Sequence, residues 1–125
     1  MRITPVVLAL IAAPLPAAAQ EGFYAGKTVN LYIGSGAGGG YDLYGRVVAR
    51  HLSRHIKGNP NVVASNMPGA GSIVMTNFMY SAAPKDGTAI GIPMQQIRED
   101  QLLGNSGARF DVTKFNWIGR ISSNV

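Results

Sequence analysis

The sequence predicts an α/β fold in which parallel strands alternate with helices around a β-α-β-α-β core. Two observations predict it: short β-branched runs end in glycine-rich turns, and each turn leads into a segment with helical apolar spacing. The composition suits this class, because 46% of the 125 residues are hydrophobic and 14% are charged. Such repeats form parallel sheets with right-handed crossovers, and ligands of these sheets lie beyond the carboxyl ends of the strands.

The N-terminus has the three regions of a cleavable export signal. Met1-Arg2 is a short basic region, Ile3 to Pro16 is apolar, and Ala17-Ala18-Ala19 offers an A-x-A cleavage site. The apolar region is shorter than the ~20 residues of a membrane-spanning helix and contains Pro14 and Pro16. We therefore predict a signal peptide over residues 1–19, cleaved near Ala19. The sequence has no cysteine, so neither a lipoprotein anchor nor a disulfide is available.

The first strand, turn and helix are predicted between residues 28 and 56. Thr28 to Ile33 is β-branched and alternating, which indicates a strand, and Asp42 to Ile56 has the spacing of an amphipathic helix. Asp42 is well placed to cap this helix. The apolar residues at helical spacing are Leu43, Tyr44, Val47, Val48, Leu52 and Ile56. The arginines on a separate stripe, which we interpret as a solvated face, are Arg46, Arg50 and Arg54.

The pattern then repeats. Asn61 to Ser65 is predicted as the second strand, and Asn66 to Ser72 as a second glycine-bearing turn. Ser72 to Ala83 follows as a helix that is apolar on most sides and therefore expected to be buried.

Thr88 to Pro93 is predicted as the third strand, after the turn at Ala83 to Gly87. Weaker patterns indicate a third helix over Gln95 to Leu103 and a fourth strand over Asn116 to Ile121. Three or four strands leave open edges, so residues 20–125 are expected to be one incomplete α/β lobe.

The first turn contains five glycines before the helix: Gly34, Gly36, Gly38, Gly39 and Gly40. Glycines let the main chain approach a ligand closely, and a helix N-terminus presents bare N–H groups to an anion. Gly34, Gly36 and Gly39 also fit the GxGxxG spacing of dinucleotide sites, but no Asp or Glu occurs between Asp42 and Asp86 to bind a ribose. The P-loop pattern fails as well, because no lysine follows the glycines.

Other chemistry has little support in the sequence. His51 and His55 are four residues apart on one helix but lack a third ligand for a metal, so we predict no metal site. No GxSxG motif occurs, and Asp86 and Asp100 have no evident partner for acid–base catalysis. The net charge of +5 comes from scattered residues, which argues against a nucleic-acid partner. We predict neither an enzymatic activity nor a cofactor.

Taken together, GAGGGYDLYGRVVARHL, SNMPGAGSI, APKDGTAIGI and FDVTKFNWIG, in this order behind an export signal, resemble one family. It is the tripartite tricarboxylate transporter receptor family, the Bug-type periplasmic solute-binding proteins. The resemblance covers the N-terminal portion of that family and nearly all of the sequence beyond the leader. It implies a type II periplasmic-binding-protein fold of two lobes, of which the second is absent here, and a location in the periplasm.

The resemblance also implies a small organic carboxylate as ligand and the membrane permease subunits of the transporter as partners. The ligand-binding residues that it implies lie in the two glycine turns: Gly38, Gly39, Gly40, Asp42, Asn66, Pro68, Gly69, Ala70 and Gly71. The physical expectation agrees, since N–H groups at two helix starts favour a carboxylate. Asp42 is expected to shape the turn without touching the anion, because two negative charges repel. The alternative is a fragment of an exported α/β enzyme whose catalytic residues lie outside this sequence.

Overall fold

A three-stranded parallel sheet forms the centre of the computed structural model, which describes residues 22–121. The strands are β1 (Thr28–Ile33), β2 (Asn61–Asn66) and β3 (Ala89–Ile92), in the order β2-β1-β3. In this register Leu31 lies beside Ala64 and beside Ile90. The predictions of these three strands are confirmed to within one residue at each end. The predicted signal peptide, residues 1–19, lies outside the described residues.

Three helices connect and follow the strands: α1 (Gly40–Leu52), α2 (Ile73–Ser81) and α3 (Ile97–Leu102). Single turns of 3₁₀ helix continue α1, precede α2 and lie in the C-terminal segment, at Ser53–His55, Ala70–Ser72 and Val112–Lys114. The helices occur where the spacing predicts them, but α1 begins two residues and ends four residues earlier than expected, and α2 and α3 are shorter than expected. The α/β class is confirmed for residues 22–121, while the type II binding-protein architecture stays a prediction.

The two faces of β1 are covered by different helices. Leu31 and Ile33 are fully buried and pack against Ala49 of α1. Because side chains alternate along a strand, Tyr32 lies on the other face, where its ring contacts Phe78 of α2 at a centroid distance of 5.0 Å. A second cluster of buried side chains, Ile73, Ile97 and Phe110, joins α2 to α3 and the C-terminal segment. The central strand is therefore enclosed, and its carboxyl end is held in a fixed position.

Helix α1 presents a different face to the sheet than its apolar spacing suggests. Its buried residues are Asp42, Gly45 and Ala49, whereas Leu43 is 64% exposed. A Cβ on Gly45 would lie 2.6 Å from Cδ1 of Ile33, so the absence of a side chain lets the helix backbone approach β1 closely. Small residues thus line the helix–sheet contact, and several larger apolar side chains face solvent.

The weaker C-terminal predictions hold only in part. Residues 116–121 form no strand, so the predicted fourth strand is wrong. Instead, Nε1 of Trp117 donates a hydrogen bond to the carbonyl of Val112 at 2.8 Å, and its ring packs on Phe115. These local contacts hold the segment beside the second cluster and away from the sheet.

Helix α2 is less enclosed than expected. Met75 and Thr76 are buried, but Val74 is 46% exposed, because the three-stranded sheet covers one side of the helix only. Over residues 22–121, none of the helices combines the length and apolarity needed to cross a bilayer.

Candidate functional site

The two glycine turns lie side by side at the carboxyl edge of the sheet. The first turn, residues 34–39, follows β1, and the second turn, residues 66–72, begins at Asn66, the last residue of β2. The N–H of Met67 donates to the carbonyl of Ile33 at 2.8 Å, and the N–H of Gly34 donates to Ile92 at 3.0 Å. The parallel ladder thus continues into the turns and places them next to each other, at the edge where α/β sheets bind ligands.

Asp42 organises the first turn from within α1. The N-cap of α1 is Gly39, so Asp42 is not the capping residue and lies in the first helical turn instead. Its carboxylate accepts hydrogen bonds from the N–H of Gly38 and from Nε of Arg46, each at 2.9 Å. The residue is only 5% exposed, so its side chain is shielded from solvent, and its lack of contact with an anion stays a prediction.

Asn66 connects the second turn to the first. Its Nδ2 donates to Oδ1 of Asp42 at 2.9 Å and to the carbonyl of Ser35 at 3.0 Å. Its Oδ1 accepts from the Arg46 guanidinium at 2.8 Å. The side-chain amide of Asn66 therefore links the two turns.

Arg46 corrects the interpretation of the arginine stripe. Arg50 and Arg54 are exposed, as a solvated face requires, but Arg46 bridges Asp42 and Asn66 through two different nitrogens. Helical periodicity places all three arginines on one stripe. Only the partner on the neighbouring strand distinguishes the first of them. We call Asp42, Arg46 and Asn66 the turn-linking network.

The hydrogen bonds that the Asp42 carboxylate accepts lower its pKa to about 2. The main cause is the hydrogen bond from the N–H of Gly38, followed by those from Arg46 and Asn66, and burial opposes them. The carboxylate is therefore ionised at neutral pH, and the guanidinium compensates its charge locally. An anion at the start of α1 would meet a neutralised pair, so the repulsion expected from Asp42 is reduced.

The second turn has an unusual backbone. Gly69, Ala70, Gly71 and Ser72 all have positive φ, at 139°, 45°, 63° and 80°. Positive φ is uncommon for alanine and serine and costs about 1 to 2 kcal/mol per residue, so this turn is strained. The first N–H groups of α2 fold back onto the turn, because Ile73 donates to Ala70 and Val74 to Gly69. The expectation of free N–H groups at both helix starts therefore fails for Ile73 and Val74, whose N–H groups are bonded within the turn.

Ser72 ties the three strand ends together, a role that its sequence pattern alone does not indicate. It is fully buried, its hydroxyl donates to the carbonyl of Gly34 at 2.8 Å, and its Oγ accepts from the N–H of Met94 at 2.9 Å. A Cβ on Gly34 would lie 2.3 Å from this Oγ, so the close contact needs a glycine. A small polar residue beside a glycine turn is the only sequence signal for this role.

A third segment, which follows β3, was also missed as part of this edge. The N–H of Gln95 donates to the Tyr41 hydroxyl at 3.2 Å. Gln96 lies beside the second turn, because a Cβ on Gly71 would be 3.0 Å from its Nε2. Since all three strands are parallel, the segment after the third strand has to reach the same edge.

The predicted site residues fall into two groups. Those with exposed positions on the turns are Gly38, Gly39, Gly40, Pro68, Ala70 and Gly71. Asp42, Asn66 and Gly69 are buried or half-buried, and the first two bind each other. The N–H of Gly38 is engaged by Asp42, so the first residues of α1 hold the remaining exposed donors of the first turn. The arrangement is suited to binding an anion through its backbone.

The described residues form a surface depression away from this edge and no candidate metal centre. A shallow depression of about 450 Å³ at the opposite end of the sheet is lined by Phe23, Tyr24, Ile56 and Lys57. Among residues 22–121, no group of three or more His, Cys, Asp or Glu side chains is arranged to hold a metal ion.

Comparison with known proteins gives one informative relative. The chain is 34% identical over 115 residues to the UPF0065 protein in gbd 5'region of Cupriavidus necator. This match covers 92% of the chain but 32% of the relative, so the chain spans about a third of that protein's length. No protein-family model matches the chain, and no solved structure matches it. UPF0065 is the family designation of Bug-type tripartite tricarboxylate receptor-like proteins, and the similarity therefore supports the family that the motifs of this chain resemble.

Proposed function

We propose that the chain belongs to a periplasmic solute-binding receptor of a tripartite tricarboxylate transport system. In this proposal the two glycine turns bind a small organic carboxylate, which the receptor delivers to membrane permease subunits. The sequence similarity to the UPF0065 protein and the ordered motifs support the family. The ligand and the binding residues rest on the geometry of the turns.

One observation carries the choice of site: the two turns that the motifs contain are joined at one edge of the sheet by direct hydrogen bonds. Asn66 of the second turn contacts both Ser35 and Asp42 of the first unit. Two separate backbone surfaces therefore meet where α/β proteins bind ligands. A carboxylate has two oxygens, so it can accept hydrogen bonds from both turns at once.

The donors in this proposal are backbone N–H groups. Gly40 and Tyr41 begin α1, whose first N–H groups lack carbonyl partners within the helix. Ala70 and Gly71 are exposed on the second turn. The dipole of α1 adds about 0.3 to 1 kcal/mol of attraction for a negative charge. No arginine has to contact the ligand, because the amide donors supply the hydrogen bonds.

The test uses substitutions that differ in charge but hardly in shape. Gly39→Asp and Gly39→Asn both place a capping side chain at the N-cap of α1, where a Cβ has only the carbonyl of Gly36 nearby, at 4.0 Å. Ala70→Asp and Ala70→Asn form a second pair, since Asn and Asp tolerate the positive φ of 45° at this position.

We expect each Asp variant of the full-length protein to bind citrate or succinate at least about tenfold more weakly than its Asn partner, by calorimetry. The carboxylate of the variant would occupy the place of the ligand and repel it. Arg50→Ala on the exposed side of α1 should bind like the parent. Equal affinities within both Asp and Asn pairs would contradict the site, and a parent that binds no carboxylate from a broad panel would contradict the function.

A further inference from the structure

We propose that Arg46 is a positioning residue, which acts on the binding site by locking the two turns into one unit without contacting the ligand. This inference rests on the proposed function. It goes beyond that function in assigning a role to a side chain that the helical pattern places on a solvated stripe.

The geometry of the guanidinium supports this role. Nε of Arg46 donates to Asp42 at 2.9 Å, and a terminal nitrogen donates to Asn66 at 2.8 Å. One planar group therefore spans a helix and the end of the neighbouring strand. Asp42 in turn holds the N–H of Gly38, so the chain of contacts runs from the second turn through Arg46 into the glycines of the first turn.

Ser72 joins the turns at Gly34, on the sheet side, and the turn-linking network joins them separately, at Asn66, Asp42 and Ser35. Asn66 reaches Ser35 and Asp42 through one amide nitrogen, and its amide oxygen depends on Arg46 for its hydrogen bond. Without Arg46, the almost buried carboxylate of Asp42 would lose its cationic partner. Both losses loosen the same contact between the turns. A substitution at a residue that does not touch the ligand can change the affinity when it loosens contacts that position the binding residues.

Two variants separate positioning from simple attraction. Arg46→Lys keeps the positive charge but lacks the planar fork that spans Asp42 and Asn66, and Arg46→Gln removes the charge as well. If Arg46 positions the turns, both variants of the full-length protein should bind citrate and succinate about tenfold more weakly. Arg50→Gln, an exposed position on the same helix, is the matched control and should bind like the parent.

Nuclear magnetic resonance supplies a readout that does not depend on the ligand. The Gly38 amide reports on the Asp42 carboxylate, because the two are hydrogen-bonded. Its pH titration midpoint should rise in Arg46→Gln, and the Asn66 side-chain amide signals should move in both variants. Arg50→Gln should leave these signals in place.

The outcomes distinguish the two proposals. Weaker binding in both Arg46 variants, with the shifted Gly38 and Asn66 signals, supports positioning. Parental affinity in Arg46→Lys would show that charge alone matters and would overturn it, as would parental affinity in Arg46→Gln. A parent that binds neither probe would count against the proposed function. In that case the amide signals decide the inference, and unchanged Gly38 and Asn66 signals in the Arg46 variants would overturn it.

Discussion

Replacement of Ser72 by alanine tests whether one hydroxyl holds the three strand ends together. The change removes the bond to the buried carbonyl of Gly34 and the bond from the N–H of Met94, and it leaves both backbone groups without that partner. An unsatisfied buried group costs about 1 to 3 kcal/mol. Because the Met94 N–H is only partly buried, we expect a total loss of about 2 to 4 kcal/mol in the free energy of unfolding.

Ser72→Gly separates the hydroxyl from the backbone strain at this position. Glycine loses the same two hydrogen bonds but accepts the φ of 80° without steric cost, so it should be about 1 kcal/mol more stable than the alanine variant. Urea unfolding followed by circular dichroism measures all three proteins, with Ser81→Ala on the exposed side of α2 as control. A Ser72→Ala protein within about 0.5 kcal/mol of the parent, or more stable than Ser72→Gly, would refute this reasoning.

Three other predictions concern packing, pH and export. Gly45→Ala should destabilise the protein by about 1 to 2 kcal/mol in urea unfolding, because the new Cβ would lie 2.6 Å from the buried Ile33, even though alanine favours helices. Gly40→Ala is the control and should cause no such loss, because a Cβ there meets open space. Equal losses of stability in the two variants would contradict the packing argument. The pKa of Asp42 is lowered to about 2 in the folded state. Its contribution to folding stability is therefore complete above the unfolded-state pKa near 4 and is lost as the pH falls toward 2. Asp42→Asn should therefore reduce the loss of folding stability between about pH 4 and 2. The reduction is partial, because the pKa values of Asp86 and Asp111 are also lowered and these groups contribute to the same loss. A stability profile in acid that matches the parent would contradict the hydrogen bonds assigned to Asp42. Intact-mass measurement of the protein from the periplasm should show cleavage near Ala19, whereas a retained Met1 would argue against a cleaved leader.

The secondary-structure elements that depend on residues close together in the sequence could be predicted. β1 and β3 are short apolar runs bounded by glycine, proline or charged turns, and the helices follow from periodicity, so the alternation of elements and the parallel sheet could be deduced. The position of both glycine turns at one edge also followed, because parallel strands carry their carboxyl ends to the same side. The predicted strand over residues 116–121 failed because Trp117 makes local contacts with Val112 and Phe115, while Ile118 and Ile121 are exposed and pair with none of the described strands.

The sequence by itself determined the class of fold, the order of its elements and the two turns on which the proposed site rests, because these depend on local propensity and periodicity. Only the tertiary structure decided which face of α1 is buried, since the space opened by Gly45 against Ile33 outweighs the pattern of apolar residues. It also separated Arg46 from the other arginines of its stripe and assigned Ser72 its two bonds. Asn66, which distinguishes Arg46, and the two partners of the Ser72 hydroxyl lie 20 or more residues away along the chain, and contacts of that range are set by packing and leave no periodic signal in the sequence.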